Sequence, residues 1–214
     1  MKGFPLAKEG LVFVVPSLIL SLLCMFFHQY VLFTLFFCFF LFSAFFFRNP
    51  ERSVQSKPSE LISPADGRVM GVDEMHEAEF LDETVLRIAV FMGPGDVHVN
   101  RAPCDGTVRR IVHRDGQFRM AFKKESDKEN ERNYILLEKN GDKLLVVQIA
   151  GFLARRIHCW VQENDVVRKG GRIGMIAFGS RVDLYTPLGY ESVVKLGERV
   201  KAGLTVLARK KGEA

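Results

Sequence analysis

The sequence predicts a mostly β protein: a flattened β-sandwich with barrel-like halves, preceded by an N-terminal transmembrane helical hairpin. Three observations lead to this expectation. The chain begins with two long uncharged stretches rich in Phe and Leu. After Leu61, short runs rich in Val and Ile are bounded by Gly, Asp and Pro, which is typical of strands and turns. Two pairs of similar segments recur in this part, which indicates a repeated structural unit.

The N-terminal segment has the composition of a membrane anchor. No charged residue occurs from Gly10 to Phe27, or from Val31 to Phe47 after a polar break at 28–30. At 1.5 Å per residue, each helix would be about 26 Å long, slightly shorter than the roughly 30 Å hydrocarbon core of a bilayer. The hairpin therefore either spans with local thinning or enters one leaflet and returns. We place the anchor and its linker at residues 1–57 and a β-domain at 58–214.

Basic residues flank the hairpin but are missing from its tip. Lys2 and Lys8 precede it, and Arg48, Arg52 and Lys57 follow it. By the positive-inside rule both ends are cytoplasmic, so we expect the protein at the cell membrane with its β-domain facing the cytoplasm. A cleaved signal peptide is disfavoured, because the apolar segment is too long and no small-residue cleavage site follows it.

The charge of the chain suits a membrane surface. Its 30 Lys and Arg exceed its 25 Asp and Glu, giving a net charge of +5, and an anionic surface attracts each such residue by about 1 kcal/mol. The sequence has no basic stripe interleaved with aromatic residues, so it gives no indication of a nucleic acid partner. The four cysteines form no CxxC pair, so we expect neither a disulfide framework nor a metal site.

Strands and repeats organise the β-domain. Strand-like runs include Val85–Met92, Tyr134–Glu138 and Lys143–Ala150. The segment SPADGRV (63–69) matches APCDGTV (102–108), and NDVVRKG (164–170) matches GERVKAG (197–203). This order of motifs resembles the half-barrels of lipoyl and biotinyl domains, in which Gly permits tight turns. A parallel α/β fold is disfavoured because long amphipathic helices are missing.

Three short segments carry residues with catalytic potential. They are SPADG (63–67), GDVHVNRAP (95–103) and FGS (178–180), the last at the end of a hydrophobic run. Taken singly, each is more often a turn or a structural strand than a site. In an alternating strand, His98 would share a face with Asp96 and Asn100.

Together, and behind a membrane hairpin, these segments resemble the phosphatidylserine decarboxylases, in particular their short branch. The resemblance runs from FFRNPER (46–52) to the C-terminus and includes NER (130–132). It implies a pyruvoyl enzyme whose proenzyme cleaves itself between Gly179 and Ser180. The products would be a β chain, 1–179, and an α chain, 180–214, which remain together as a heterodimer; a higher oligomer is left open.

The resemblance also implies the chemistry of cleavage. Ser180 Oγ attacks the carbonyl carbon of Gly179, and an ester replaces the peptide bond. Loss of the Ser180 α-proton then eliminates the upstream carboxylate and leaves dehydroalanine, which hydrolyses to a pyruvoyl group and ammonia. Glycine before the serine suits this attack, because it has no Cβ and tolerates a strained turn.

The resemblance also implies that an Asp–His–Ser relay carries out self-cleavage, as is attributed to this family. Asp66 matches the relay Asp by its SPADG context. His98 matches the first His of an Asp-x-His-x-x-His pattern, but Arg101 stands where the second, usually assigned to the relay, would be. Either His98 serves both steps, or the short branch activates Ser180 differently. Arg101 cannot be a base near neutral pH, so it and Asp96 are candidates for orienting or substrate-binding roles, beside Ser180, His98 and Asp66 as catalytic residues.

In the mature enzyme, the resemblance implies a Schiff base between the pyruvoyl carbonyl and the amine of membrane phosphatidylserine. The conjugated group accepts the electrons released with CO2, and hydrolysis gives phosphatidylethanolamine. The covalent pyruvoyl group would be the cofactor, with no metal and no nucleic acid. The segment FRMAFKK (118–124) is a candidate interfacial patch, although a solvated loop is an equal alternative.

Two other functions fit part of the sequence. A membrane-anchored lipoyl-like adaptor without enzymatic activity would explain the hairpin and the Gly-rich repeats. A lipoyl carrier, however, needs a Lys where this chain has FGSR (178–181), and no heptads of a coiled-coil insert appear. A pyruvoyl decarboxylase of a soluble amino acid is disfavoured by the anchor.

Overall fold

The structure is a computed structural model that describes residues 5–116, 130–151, 156–177 and 179–212. The chain divides into two compact units, Met1–Glu51 and Arg52–Ala214. The first unit is helical and the second is built of β-strands, so the predicted mostly β fold with N-terminal apolar helices is confirmed. The candidate patch at 118–124 and Phe178 lie outside the described residues.

The N-terminal unit contains two helices that pack against each other. A 3-10 turn leads into α1 (Leu11–Phe26), and α2 (Tyr30–Phe46) follows after a short turn. The chain before α1 and the chain after α2 meet at an antiparallel bridge between Leu6 and Arg48. Both ends of the hairpin therefore lie on the same side of this unit.

With the 3-10 turn that precedes it, the first helical segment is longer than the second. The segment Lys8–Phe26 is long and apolar enough to cross a membrane, with a mean hydropathy of 2.2, whereas Tyr30–Phe46 is shorter. The hydroxyl of Ser17 donates a hydrogen bond to the carbonyl of Phe13 (2.6 Å), so this polar group is satisfied within α1. At 1.5 Å per residue α1 is about 24 Å long, which is slightly short for a full bilayer core.

The described part of the second unit contains fourteen strands. In chain order they are β1 (Glu60–Ile62), β2 (Gly67–Glu77), β3 (Glu83–Met92), β4 (Val99–Arg101), β5 (Gly106–Arg114), β6 (Arg132–Lys139), β7 (Asp142–Ile149), β8 (Ile157–Cys159), β9 (Val166–Val167), β10 (Arg172–Ile176), β11 (Ser180–Pro187), β12 (Tyr190–Ser192), β13 (Arg199–Val200) and β14 (Val206–Lys210). The strand-like runs predicted from the sequence coincide with β3, β6 and β7.

These strands form one large sheet and two small ones. The large sheet has the order β13-β2-β3-β11-β7-β6-β5-β9, and the small sheets are β1-β14-β12 and β4-β10-β8. One face of the large sheet carries the main apolar core, to which the small sheets contribute residues such as Leu61, Ile173 and Leu207. The layers therefore form a β-sandwich. The likeness to lipoyl domains stays a prediction.

The sequence repeats become two equivalent halves of the large sheet. In one half β13 pairs with β2, and in the other β9 pairs with β5. Both β2 and β5 contain a bulge two residues after their first residue. Counted from the two edges, β3 corresponds to β6 and β11 to β7, so an approximate twofold relation passes between β11 and β7.

The repeated glycines allow close approach of neighbouring strands. A Cβ added to Gly67 would clash with the carbonyl of Phe91 on β3, and one added to Gly106 would lie 2.7 Å from the carbonyl of Glu138 on β6. Glycine therefore occurs at this point of both halves because a side chain has no room there.

Candidate active site

Ser180 occupies a buried position in the middle of the large sheet. It is the first residue of β11, directly opposite Met92 on β3. Its side chain faces the main core, because Val182 and Leu184, two and four residues later, belong to that core. Ser180 is fully buried, and within the described part of the chain its Oγ has no hydrogen-bond partner. Such hydroxyls are rare, which makes Ser180 a candidate for function.

Gly179 has a backbone conformation that other residues rarely adopt. Its φ is +59°, in the left-handed region. An added Cβ would have no described atom within 4 Å, apart from the neighbouring residues. The conformation, rather than crowding, therefore requires glycine. The equivalent place in the other half is the turn Asn140–Gly141 between β6 and β7, where both φ values are also positive.

His98 lies beside the chain that leads into Gly179. It precedes β4, and its carbonyl accepts a hydrogen bond from the N–H of Ile176 at the end of β10 (3.3 Å). Ile176 is followed by Ala177 and Phe178 and then by Gly179. His98 is fully buried. Strand pairing thus places the main chain of His98 next to Ile176, three residues before Gly179.

The hydrogen bond at His98 indicates which ring nitrogen carries the proton of a neutral imidazole. Nδ1 lies 2.9 Å from the carbonyl oxygen of Asp96. Because a carbonyl only accepts, the proton of a neutral ring belongs on Nδ1, and Nε2 carries the lone pair. Asp96 acts here through its main chain. Its carboxylate accepts from the N–H of Gly93 (2.8 Å) and lies 3.4 Å from Arg199.

Asp66 lies in a different environment from His98. The Asp66 carboxylate accepts two hydrogen bonds from Arg52 and one from the N–H of Ala202 (2.8 Å). Asp66 precedes β2, which is separated from β11 by β3, so two strand spacings place this segment about 10 Å from Ser180. The structure bonds the main chain of His98 to Ile176, four residues before Ser180, and it places Asp66 beside Arg52.

Arg101, at the place of the family's second histidine, is also buried. Its side-chain Nη1 donates to the carbonyl of Gly170 (2.7 Å), and its main-chain N–H donates to the carbonyl of Pro64 (2.9 Å). A Cβ added to Gly203 would lie 2.9 Å from Arg101 Cδ. Arg101 therefore contacts segments of both sequence repeats through its guanidinium, its side-chain stem and its main chain.

Sequence reasoning missed a chain of three buried amides on the core side of the large sheet. Asn133 Nδ2 donates to Gln148 Oε1 (2.9 Å), and Gln148 Nε2 donates to Asn100 Oδ1 (2.8 Å). Asn100 Nδ2 then lies 3.6 Å from the sulfur of Met92, the residue opposite Ser180. A sequence signal existed: Gln148 interrupts the otherwise apolar run of β7.

The opposite face of β11 carries a buried ion pair. Arg181 Nε lies 2.8 Å from Asp183 Oδ1, and Arg87 is 4.0 Å from the same carboxylate. Burial opposes the charge of Arg87, but Asp183 and Asp73 outweigh it, so the pKa of Arg87 lies above its ordinary value. Burial, followed by the nearby Asp183 charge, raises the pKa of Tyr185. Arg181, Arg87 and Tyr185 line a cavity of about 480 Å³.

Metal ligands are not grouped in the described ranges. No three His, Cys, Asp or Glu side chains converge there as they would around an ion. The one fully buried cysteine in these ranges, Cys104, belongs to the main core, and burial raises its pKa to about 11. Its thiol is therefore protonated at neutral pH and behaves as a small apolar side chain.

Comparison with known proteins identifies the family of this chain. The sequence model of the family described as Phosphatidylserine decarboxylase matches residues 39–208. A phosphatidylserine decarboxylase proenzyme from Desulfotalea psychrophila is 40% identical over 206 residues, which cover 96% of each chain. One from Carboxydothermus hydrogenoformans is 45% identical over 177 residues, covering 82% of this chain and 83% of the relative. The chain therefore belongs to the phosphatidylserine decarboxylase family.

Proposed function

We propose that this chain cleaves itself between Gly179 and Ser180 and then decarboxylates phosphatidylserine to phosphatidylethanolamine, with a pyruvoyl group derived from Ser180. Membership of the family makes the chain a decarboxylase, a carboxy-lyase, and favours this function over a non-enzymatic adaptor. One observation carries the choice of bond. Ser180 Oγ is buried without a hydrogen-bond partner among the described residues, directly after a glycine in the left-handed region.

The first step is an acyl shift from nitrogen to oxygen. The Ser180 hydroxyl proton passes to His98 Nε2, and Oγ forms a bond to the carbonyl carbon of Gly179. The tetrahedral intermediate collapses with loss of the C–N bond, and the proton held by His98 Nε2 passes to the released amine of Ser180. An ester now joins the two fragments. The buried surroundings disfavour hydrolysis of this ester by bulk water.

The second step releases the fragments. Removal of the Ser180 α-proton breaks the Cβ–Oγ bond, so Gly179 leaves as a carboxylate. The remaining dehydroalanine takes up water and loses ammonia, which leaves a ketone at the amino end of β11. The residues present fit this group, because the Ser180 position is buried and His98 lies close to the chain before it.

In decarboxylation, the group supplies a carbonyl that binds a primary amine and accepts the electron pair released with CO2. The protein supplies proton transfer and burial. His98 Nε2 is the proposed donor of the proton that the substrate carbon receives. Asp66 stays in the proposal, but as a positioning residue and not as an acid bonded to His98. Arg52 binds the carboxylate of Asp66. We propose that Asp66, through this bond, fixes the start of β2, where Gly67 packs against the carbonyl of Phe91 beside Met92.

The fragments are expected to stay together as a heterodimer. The small fragment, 180–214, begins with β11, whose residues pair with β3 on one side and β7 on the other. Both neighbours belong to the large fragment. Separation would break two ladders of backbone hydrogen bonds within the sheet and expose core residues such as Val182.

We further propose that the helical hairpin holds the enzyme at the cell membrane, with the β-domain on the cytoplasmic side. Lys8–Phe26 has the length and apolarity to enter a bilayer, and a lipid substrate has its head group at the same surface. No metal or nucleic acid takes part in this proposal.

The cleavage is tested by intact mass and a denaturing gel. We expect two fragments from the wild-type chain, with the small one blocked to Edman sequencing because it lacks an amino terminus. Ser180→Ala should remain a single chain, whereas Ser192→Ala, a control in the same fragment, should be cut normally. An uncut wild-type protein, or a Ser180→Ala protein cut at the same bond, would falsify the proposal.

The substrate is tested separately by CO2 release. Purified enzyme should act on vesicles containing phosphatidylserine and leave free serine largely unchanged. Faster turnover of free serine than of the lipid would instead identify a decarboxylase of soluble amino acids. Ser180→Ala should release no CO2 from either substrate.

A further inference from the structure

We infer that Asn100 is a further catalytic residue of self-cleavage, which donates a side-chain N–H to the oxyanion formed on the carbonyl of Gly179. The inference rests on the proposed function. Asn100, Met92 and Ser180 follow one another on the core side of the large sheet. Asn100 contacts Met92, and Met92 is the direct strand partner of Ser180.

The amide of Asn100 is held with its nitrogen toward Met92. Gln148 Nε2 donates to Asn100 Oδ1, and Gln148 is itself oriented because its Oε1 accepts from Asn133. All three side chains are almost completely buried. Turning over the Asn100 amide alone would place two N–H groups face to face, so with Gln148 oriented as it is, the nitrogen of Asn100 faces Met92. Gln148 and Asn133 are therefore positioning residues.

The donor at the end of this chain is poorly satisfied before reaction. Its acceptor is a thioether sulfur at 3.6 Å, which is a weak acceptor. An N–H with a weak acceptor in the ground state and an anionic one in the transition state stabilises mainly the transition state. The Gly179 carbonyl becomes such an anion when Ser180 Oγ attacks, and it is next to the residue that Met92 faces.

The other half of the fold shows that no polar group is needed at this place. In the small sheets, Asn100 pairs with Gly174 of β10, while Leu61 pairs with Ala208 of β14, each beside a register shift. Leu61 is the counterpart of Asn100 and is fully buried in the main core. Burying an amide is unfavourable when one of its N–H groups has only a thioether as its acceptor, as Asn100 Nδ2 has, so packing alone does not account for the asparagine.

The step is balanced without any further reactant. As Ser180 Oγ bonds to the Gly179 carbon, the carbonyl π electrons move to oxygen, and Asn100 Nδ2–H donates a hydrogen bond to that oxygen without transferring its proton. When the C–N bond breaks, the electrons return and the ester carbonyl forms. Asn100 is unchanged at the end.

The test follows cleavage of the full chain made by cell-free translation with lipid vesicles. Asn100→Leu, which introduces the side chain that Leu61 has in the other half, should slow cleavage by about 100- to 1000-fold. Gln148→Met should slow it by roughly tenfold, and the double variant should be no slower than Asn100→Leu alone, because both changes remove the same donor. Thr186→Val, a buried polar change at the far end of β11, is the control and should cleave normally.

Hydroxylamine, which cuts esters, separates attack from later steps. Uncut Asn100→Leu should resist it, since the ester has not formed. Rapid cutting of this variant by hydroxylamine, or cleavage at the wild-type rate, would overturn the inference. Thermal unfolding in the Ser180→Ala background checks that each variant is folded. If Asn100→Leu does not fold, Gln148→Met decides: cleavage at the wild-type rate refutes the role of the amide chain. An uncut wild-type chain would instead refute the proposed function itself.

Discussion

The two halves of the β-domain use the same backbone plan with different side chains. The carbonyl of Ser59 accepts from the N–H of Lys210 (3.1 Å), just as that of His98 accepts from Ile176 (3.3 Å). Just before the first strand of the small sheet, one half has Ser59 and the other has His98. Within that strand, one half has Leu61 and the other has Asn100. The plan itself requires neither polar residue. The difference between the halves therefore separates residues that build the fold from residues that were added to it.

Asp66 and Asp105 show the same distinction within one motif. Asp66 accepts from the N–H of Ala202 (2.8 Å), and Asp105 accepts from the N–H of Lys169 (2.9 Å), its counterpart in the repeat. This shared bond closes the turn of each half. Only Asp66 is buried and also binds Arg52. The ion pair is thus a property of one half alone.

The largest expected difference between the halves concerns the base. His98→Ala should slow self-cleavage by about 100- to 10,000-fold, because Ser180 loses the group that takes its proton. Ser59→Ala, at the equivalent position, should cleave at the wild-type rate. Time courses by intact mass compare the two, and equal rates would remove His98 from the mechanism.

The two aspartates should differ in their effect on stability. Asp66→Asn leaves the guanidinium of Arg52 without a charged partner in a site where both side chains are less than 10% exposed, and should cost about 3–5 kcal/mol. Asp105→Asn keeps a side-chain oxygen that accepts from Lys169 and removes only its charge at an exposed position, so it should cost about 1 kcal/mol or less. Denaturant unfolding in the Ser180→Ala background measures both. Equal losses would show that the ion pair adds nothing.

The two glycines should agree in stability and differ in function. Gly179→Ala and Gly141→Ala each place a Cβ on a residue with positive φ, which costs about 1–2 kcal/mol. Only Gly179→Ala should also change the rate of self-cleavage, because that residue carries the attacked carbonyl. Unfolding and cleavage are measured on the same preparations, and slower cleavage in Gly141→Ala would contradict the comparison.

The smallest effect is expected at Asp142, the counterpart of Ser180. Burial raises the pKa of this carboxyl, but hydrogen bonds from Lys210 and Tyr190 (2.9 Å each) outweigh it and lower the pKa overall. A carboxyl whose pKa is lower in the folded state stabilises the fold at pH values above its unfolded-state pKa, near 4. This stabilisation is lost as the pH falls through the folded-state pKa. Asp142→Asn should therefore cost about 1 kcal/mol at pH 7 and less in acid. An equal loss at both pH values would exclude this linkage.

Local patterns predicted much of the fold. The uncharged runs gave the two helices to within one residue, since a membrane-compatible helix depends only on its own composition. Alternation and turn residues located β3, β6 and β7, and the repeated motifs correctly indicated two equivalent halves. Each of these features depends on contacts within a short stretch of chain.

The contacts around the site depend on pairs that are distant in sequence. Gln148 meets Asn100 only because β7 and β4 lie in layers on either side of one core, and Arg52 reaches Asp66 from the linker. No short pattern encodes such pairs. Motif comparison identified Ser180 and His98 as candidates, but it could not show that the carboxylate of Asp66 binds Arg52.

The position of β11 has a consequence for the lifetime of the enzyme. In the proposed mechanism, the reactive end is created inside a finished sheet, with β3 and β7 on either side. A spent group there cannot be exchanged for a fresh one, as a diffusible coenzyme can. Each inactivation, for example by an amine that never leaves, would consume a whole polypeptide. Recovery of activity would then require new protein synthesis.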